Sequence, residues 1–218
     1  MKTLLFLFLL IMTFTICAQK PQIRHIDSML QVQKLDSLKL AFPFVTNVPS
    51  EYELAIYLAL EYYPELKNNR IHFKLQKIGT TLNARPTLAS LLFKKRSKRV
   101  YVVRINNLID AEEIITLDDV SFNSKVGVLG HEFNHFLDYS KRGILQMFGR
   151  GVDYLSSARK AKFEKQIDTE TIKRGLGWQC YDWSCFMFYQ SHATADYLTF
   201  TSETYLVPQE ILAIMTEK

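Results

Sequence analysis

The sequence predicts an α+β fold, a mostly helical domain with a small mixed or antiparallel sheet packed on one central helix. Two segments carry strand patterning, residues 71–76 and 99–106, and both lie in the first half of the chain. From about residue 118 onward, apolar residues recur at helical spacing. Strands and helices first, with helices last, is not the repeating alternation of a parallel β/α architecture.

In chain order, Lys2 gives a short positive start, Leu4 to Ile16 is almost wholly apolar, and Ala18 precedes Gln19. This pattern predicts a secretory signal peptide over residues 1–18 and a secreted or periplasmic protein. The apolar run is short for a bilayer span of roughly 20 residues, and no later segment rivals it, so no stable membrane insertion is expected after cleavage. Phe14-Thr15-Ile16 lacks the small residue favoured ahead of a lipidated cysteine, which argues against anchoring at Cys17. Residues 19–218 then suit a single domain, since nothing in them is repetitive or rich enough in proline and glycine to mark a linker.

Ile23, Ile26, Leu30 and Leu38 predict an amphipathic helix over residues 22–40. Ser50-Glu51-Tyr52-Glu53 reads as a capping box opening a second helix, which Pro64 stops. Ile71, Phe73 and Leu75 alternate with His72, Lys74 and Gln76, the period of a half-exposed strand. Residues 99–106 are rich in β-branched side chains and make the stronger strand, which is also the expected sheet edge. The basic run from Lys94 to Arg99 is short and has no interleaved aromatics, so it reads as a solvated turn before a strand and not as a nucleic-acid or membrane patch. Asp118 or Asp119 is expected to cap a helix to about Ser140, Ser156 or Ser157 another to about Arg174, and Ser191 a third to about Glu203. Pro208-Gln209-Glu210 opens a terminal helix.

The chain carries a formal charge of +5, or +4 without Lys2, an excess too mild to specify a partner. After processing two cysteines remain, Cys180 and Cys185. In an oxidising compartment they read first as one small-loop disulfide, and otherwise as two buried thiols on neighbouring turns. A lone Cys-x4-Cys offers too few ligands for a structural zinc site.

His131-Glu132-Phe133-Asn134-His135 carries the chemistry. The pattern HExxH would arise by chance about 0.006 times in a chain of this composition. On a helix His135 lies about 40° around from His131, with Gly127, Val128 and Asp138 on the same face. Phe122, Val126, Leu129, Phe133, Phe136 and Leu137 cluster on the other side, so one stripe meets a core while another can meet a metal. Gly127 and Gly130 each weaken the helix by roughly 1 kcal/mol against alanine, which implies close approach of a neighbouring element.

Catalytic zinc takes three protein ligands and keeps one position open. The metzincin continuation is excluded, because Asp138 and Lys141 stand where a glycine and a third histidine would be needed. Glu164 and Asp168 follow at a spacing of four, and Glu170 and Asp153 are nearby alternatives as third ligand. Here residues 126–176 resemble the gluzincin class of metallopeptidases, in which the HExxH helix is followed by a second helix bearing ExxxD. The resemblance implies a zincin-like domain in which His131, His135 and Glu164 bind Zn2+ and Asp168 orients His131. It also implies that Glu132 is the general base that activates a zinc-bound water. His192 is a candidate oxyanion donor, as are Tyr189 and Tyr197.

The expected function is therefore that of an exported zinc-dependent metallopeptidase acting on peptide or protein substrates. Two other readings remain open at this point. One is a zinc-dependent hydrolase of peptidoglycan or another envelope amide. The other is a non-catalytic zincin-derived binding or chaperone scaffold, which a fourth protein ligand such as Asp138 would favour.

Overall fold

The alternating segment near residue 71 and the β-branched segment near residue 102 pair as parallel neighbours in one mixed sheet. The structure, a computed structural model, describes residues 21–107 and 115–217. The expected signal peptide, Cys17 included, lies outside the described residues. The strands are β1 (Val45–Thr46), β2 (Arg70–Leu75), β3 (Leu82–Pro86) and β4 (Val100–Ile105). Their spatial order is β1-β2-β4-β3, with β3 antiparallel to β4 and the other pairs parallel.

This order corrects one expectation, since β4 is an interior strand and the edges are β1 and β3. β3 escapes sequence reading because Leu82-Asn83-Ala84-Arg85-Pro86 is short and ends in proline, which an edge strand tolerates and an interior one does not. Register places Ile71 beside Tyr101 and Phe73 beside Val103, and all four are buried. The period of two thus delivers one apolar face to the core.

The helices are α1 (Ser28–Gln31), α2 (Leu35–Ala41), α3 (Glu53–Glu61), α4 (Leu88–Phe93), α5 (Phe122–Lys141), α6 (Ile144–Asp153), α7 (Ser157–Thr171), α8 (Gly177–Tyr189), α9 (Ala195–Thr204) and α10 (Pro208–Thr216). The architecture is thus mostly helical α+β, as the sequence predicts. Several boundaries differ from expectation for local reasons. The expected helix over 22–40 is instead α1 and α2 joined by a tight turn at Val32–Lys34. Ser50 bonds Glu51 instead of closing a capping box, and a turn at Ser50–Tyr52 precedes α3. α5 is capped by Ser121, whose hydroxyl accepts from the Ser124 amide, while Asp119 accepts from the Thr116 amide one turn earlier. Likewise Thr194 caps α9, and the Ser191 hydroxyl donates to the Met187 carbonyl at the end of α8.

α7 stops at Thr171 and runs through a wide turn, Ile172–Leu176, into α8. Gly175 sits there at φ 103°, a conformation open to glycine and costly for other residues. Cys180 and Cys185 both lie on α8 and are free, which corrects the disulfide reading. Five positions apart on a helix, their side chains point about 140° away from each other and cannot bridge.

α5 lies at the centre. Phe136 tilts onto Tyr101 at 4.5 Å between ring centroids, and Phe133 meets Phe73 and Tyr63 edge-on. On another side the α8 backbone at Gln179 comes so close to Gly127 that an added methyl would collide with it, and Leu176 crowds Gly130 in the same way. The two glycines that weaken the helix therefore admit its neighbours. No helix among the described residues is long and apolar enough to cross a membrane.

Candidate metal centre

One turn of α5 separates His131 from His135, and one turn of α7 separates Glu164 from Asp168. The buried Asn134 amide sets the two helices in register, donating to the Ile167 carbonyl at 3.1 Å. His131 Nε2 and His135 Nε2 then lie 3.1 Å apart, and Glu164 Oε2 lies 3.3 and 3.2 Å from them. Ligands about 2.0–2.1 Å from a tetrahedral ion are separated by roughly 3.3–3.4 Å, so the triangle is the right size for one face of such a site. These three groups could hold a metal ion.

Each of the three is aimed by a different device. Asp168 Oδ1 lies 2.7 Å from His131 Nδ1, which puts the proton on that nitrogen and leaves the Nε2 lone pair free. Its other oxygen accepts from the Leu206 amide at 2.9 Å, so Asp168 is itself fixed. His135 has no such partner on Nδ1 among the described residues, and packing orients it, with Tyr139 stacked on the ring and Phe163 against it edge-on. Glu164 Oε1 accepts a hydrogen bond from the Tyr154 hydroxyl at 2.6 Å. Its Oε2 is buried without a hydrogen-bond donor, a costly state for a carboxylate oxygen unless a cation meets it.

The electrostatics favour positive charge inside the triangle. Burial opposes protonation of His131, but Asp168 and Glu164 outweigh it and raise the imidazole well above its usual value. Burial likewise pushes Glu164 up, yet His131 and His135 hold it well below the ordinary carboxylate range. Two carboxylates facing two imidazoles stabilise a cation there, whether proton or metal. Glu132 is buried beside them. Burial raises it, His135, His131 and the Ala84 amide of β3 counteract, and it stays above its usual value.

The other carboxylates weighed as ligands are committed elsewhere. Asp153 pairs with Arg150 and Arg159, and Glu170 accepts from Gln166 and Asn134. Asp138 is held by the guanidinium groups of Arg142 at 2.7 Å and Arg150 at 3.1 Å. None completes a fourth corner.

His131, one corner of the triangle, lines a cleft together with Glu132 and with Leu82 at the start of β3. Trp183, Met187, Phe188 and Leu206 give it a largely apolar wall. His192 is exposed and does not line this cleft, so the structure does not place it with the site. Tyr189 is also exposed and bonded by Gln209, whereas Tyr197 does line the cleft. Tyr205 is the residue that sequence reading missed, lining the cleft with its ring edge-on to His131 at 5.8 Å. Burial, then Glu164, Glu132 and Asp168, keep its hydroxyl protonated. Tyr154 was missed as well. Both lie just beyond helix ends, where no periodicity marks them.

No family model, curated protein or solved structure matches this chain.

Proposed function

We propose that this protein is an exported zinc-dependent metallopeptidase of gluzincin type, with a zincin-like domain. The observation that carries this reading is the buried Glu132, free of any ion pair among the described residues, lining one cleft with His131, which is a corner of the metal-sized His131–His135–Glu164 triangle. Two nitrogens and one oxygen suit zinc, which when bound would supply Lewis acidity and lower the pKa of a water at its open position.

The chain's own residues account for the remaining steps. Glu132 accepts a proton from the attacking water and returns it to the leaving amine, work for which a carboxylate raised by burial is suited. Tyr205 donates a hydrogen bond from its hydroxyl to the carbonyl oxygen as negative charge develops there, and keeps its proton. The open edge of β3 offers main-chain groups to an extended peptide, and the apolar wall accepts a bulky apolar side chain beside the scissile bond. A structural zinc would call for a fourth protein ligand, and the ion pairs of Asp138 commit the carboxylate that the sequence offers for that role.

The test is reconstitution. Chelation should abolish cleavage of an unfolded protein substrate, and one equivalent of zinc should restore it. Cleavage that survives complete metal removal would sink the proposal.

A further inference from the structure

α6 is amphipathic with its apolar stripe turned outward. At 100° per residue Leu145, Phe148 and Val152 fall within about 60° of arc, and Leu155 follows in the turn after the helix. They are 81%, 57%, 49% and 85% exposed. Arg150 and Tyr154, on the other side, reach inward to Asp138 and Glu164. A second apolar projection lies nearby, because α4 exposes Leu88 and Phe93. The turn after α4 is tied to the junction between α5 and α6, with Arg96 donating to the Lys141 carbonyl at 3.0 Å and Arg99 to the Arg142 carbonyl at 2.9 Å.

The charge around these projections is one-sided. Residues 88–99 contain five Lys or Arg and no acid, and residues 141–163 contain six and a single acid, Asp153, already paired with Arg150 and Arg159. Lys94, Lys95 and Lys98 are exposed and enter no ion pair among the described residues. Protruding apolar residues rimmed by unpaired lysines suit a surface that is apolar within and anionic at its face. A second copy of the same face is disfavoured, since two such rims would meet with like charge.

We propose that α6 and α4 form a docking surface for an anionic lipid bilayer, lying on the membrane without spanning it. The proposal does not depend on the metal or on catalysis. It assigns Leu145 and Phe148 to the acyl boundary and Lys94, Lys95 and Lys98 to the headgroups. Docking would seat the bilayer on the outer side of the helix whose inner side steadies Glu164 through Tyr154.

Hydrogen exchange of the full chain provides a local readout that separates this surface from the N-terminal apolar segment. Vesicles of equal parts phosphatidylglycerol and phosphatidylcholine should slow exchange in peptides covering 88–98 and 144–155, and vesicles of phosphatidylcholine alone should not. Leu145→Glu with Phe148→Glu, at exposed positions, should erase the protection with an unchanged circular dichroism spectrum. Lys94→Glu with Lys95→Glu should weaken vesicle affinity by about tenfold or more. Two results would overturn the proposal. One is unchanged exchange in both peptides with anionic vesicles. The other is protection that rises with protein concentration in the absence of vesicles, which would assign the face to a second copy.

Discussion

α5 and α6 follow one another through Arg142 and Gly143, yet they use their apolar residues in opposite directions. α5 buries Phe133 and Phe136 against the sheet and spends its remaining surface on α7 and α8. α6 turns Leu145, Phe148 and Val152 to solvent and puts Arg150 and the adjoining Tyr154 inside. Amphipathicity says that two faces differ, not which one meets the core. Here the carboxylates of half-buried Asp138 and buried Glu164 decide the matter, because leaving them without donors would cost more than leaving aliphatic side chains in water.

The sharpest way to break this comparison is to truncate one phenylalanine in each helix. Phe133→Ala should cost about 3–5 kcal/mol in denaturant unfolding, whereas Phe148→Ala should stay within about 0.5 kcal/mol. Equal losses would mean that α6 packs on something within the chain. Glycines give a smaller contrast of opposite sign. Gly127→Ala drives a methyl into the α8 backbone and should destabilise by about 1–3 kcal/mol, while Gly149→Ala meets open space and should stabilise by up to about 1 kcal/mol. A thermal melt that moves the same way for both would contradict the packing described.

The smallest effect is at the joint between the two helices. Burial acts against the Asp138 carboxylate, but Arg142 and Arg150 outweigh it and lower its pKa from 3.8. A depressed folded value gives stability that is present above the unfolded pKa and lost as pH falls through the folded one. The contribution is on the order of 1 kcal/mol or less for a pair this open to solvent. Asp138→Asn should therefore lower stability at neutral pH and flatten its loss on acidification below about pH 4, measured by urea unfolding at several pH values.

The same pair of helices explains what could be read from the sequence. α5 was legible because its apolar spacing and its two glycines point to real neighbours, and because HExxH restricts chemistry as well as position. The carboxylates of α7 were legible through their spacing of four, which matches that of the histidines. α6 was not, since Gly149 and Gly151 break its pattern and its stripe answers to no core. β3 was hidden by brevity and a proline, and the cysteine pair misled because the segment around it is helical, not looped. Tyr154 and Tyr205 reach the site from just past the ends of α6 and α9, positions that only tertiary packing brings there, whereas His192 is exposed and does not line the cleft.

Glu132→Gln tests the central claim most directly, because it replaces one carboxylate oxygen and leaves the metal triangle intact. The account expects the variant to keep one zinc per chain by elemental analysis while peptide hydrolysis falls by about 10²–10⁴-fold. A variant that retains zinc and cleaves at the wild-type rate would contradict it.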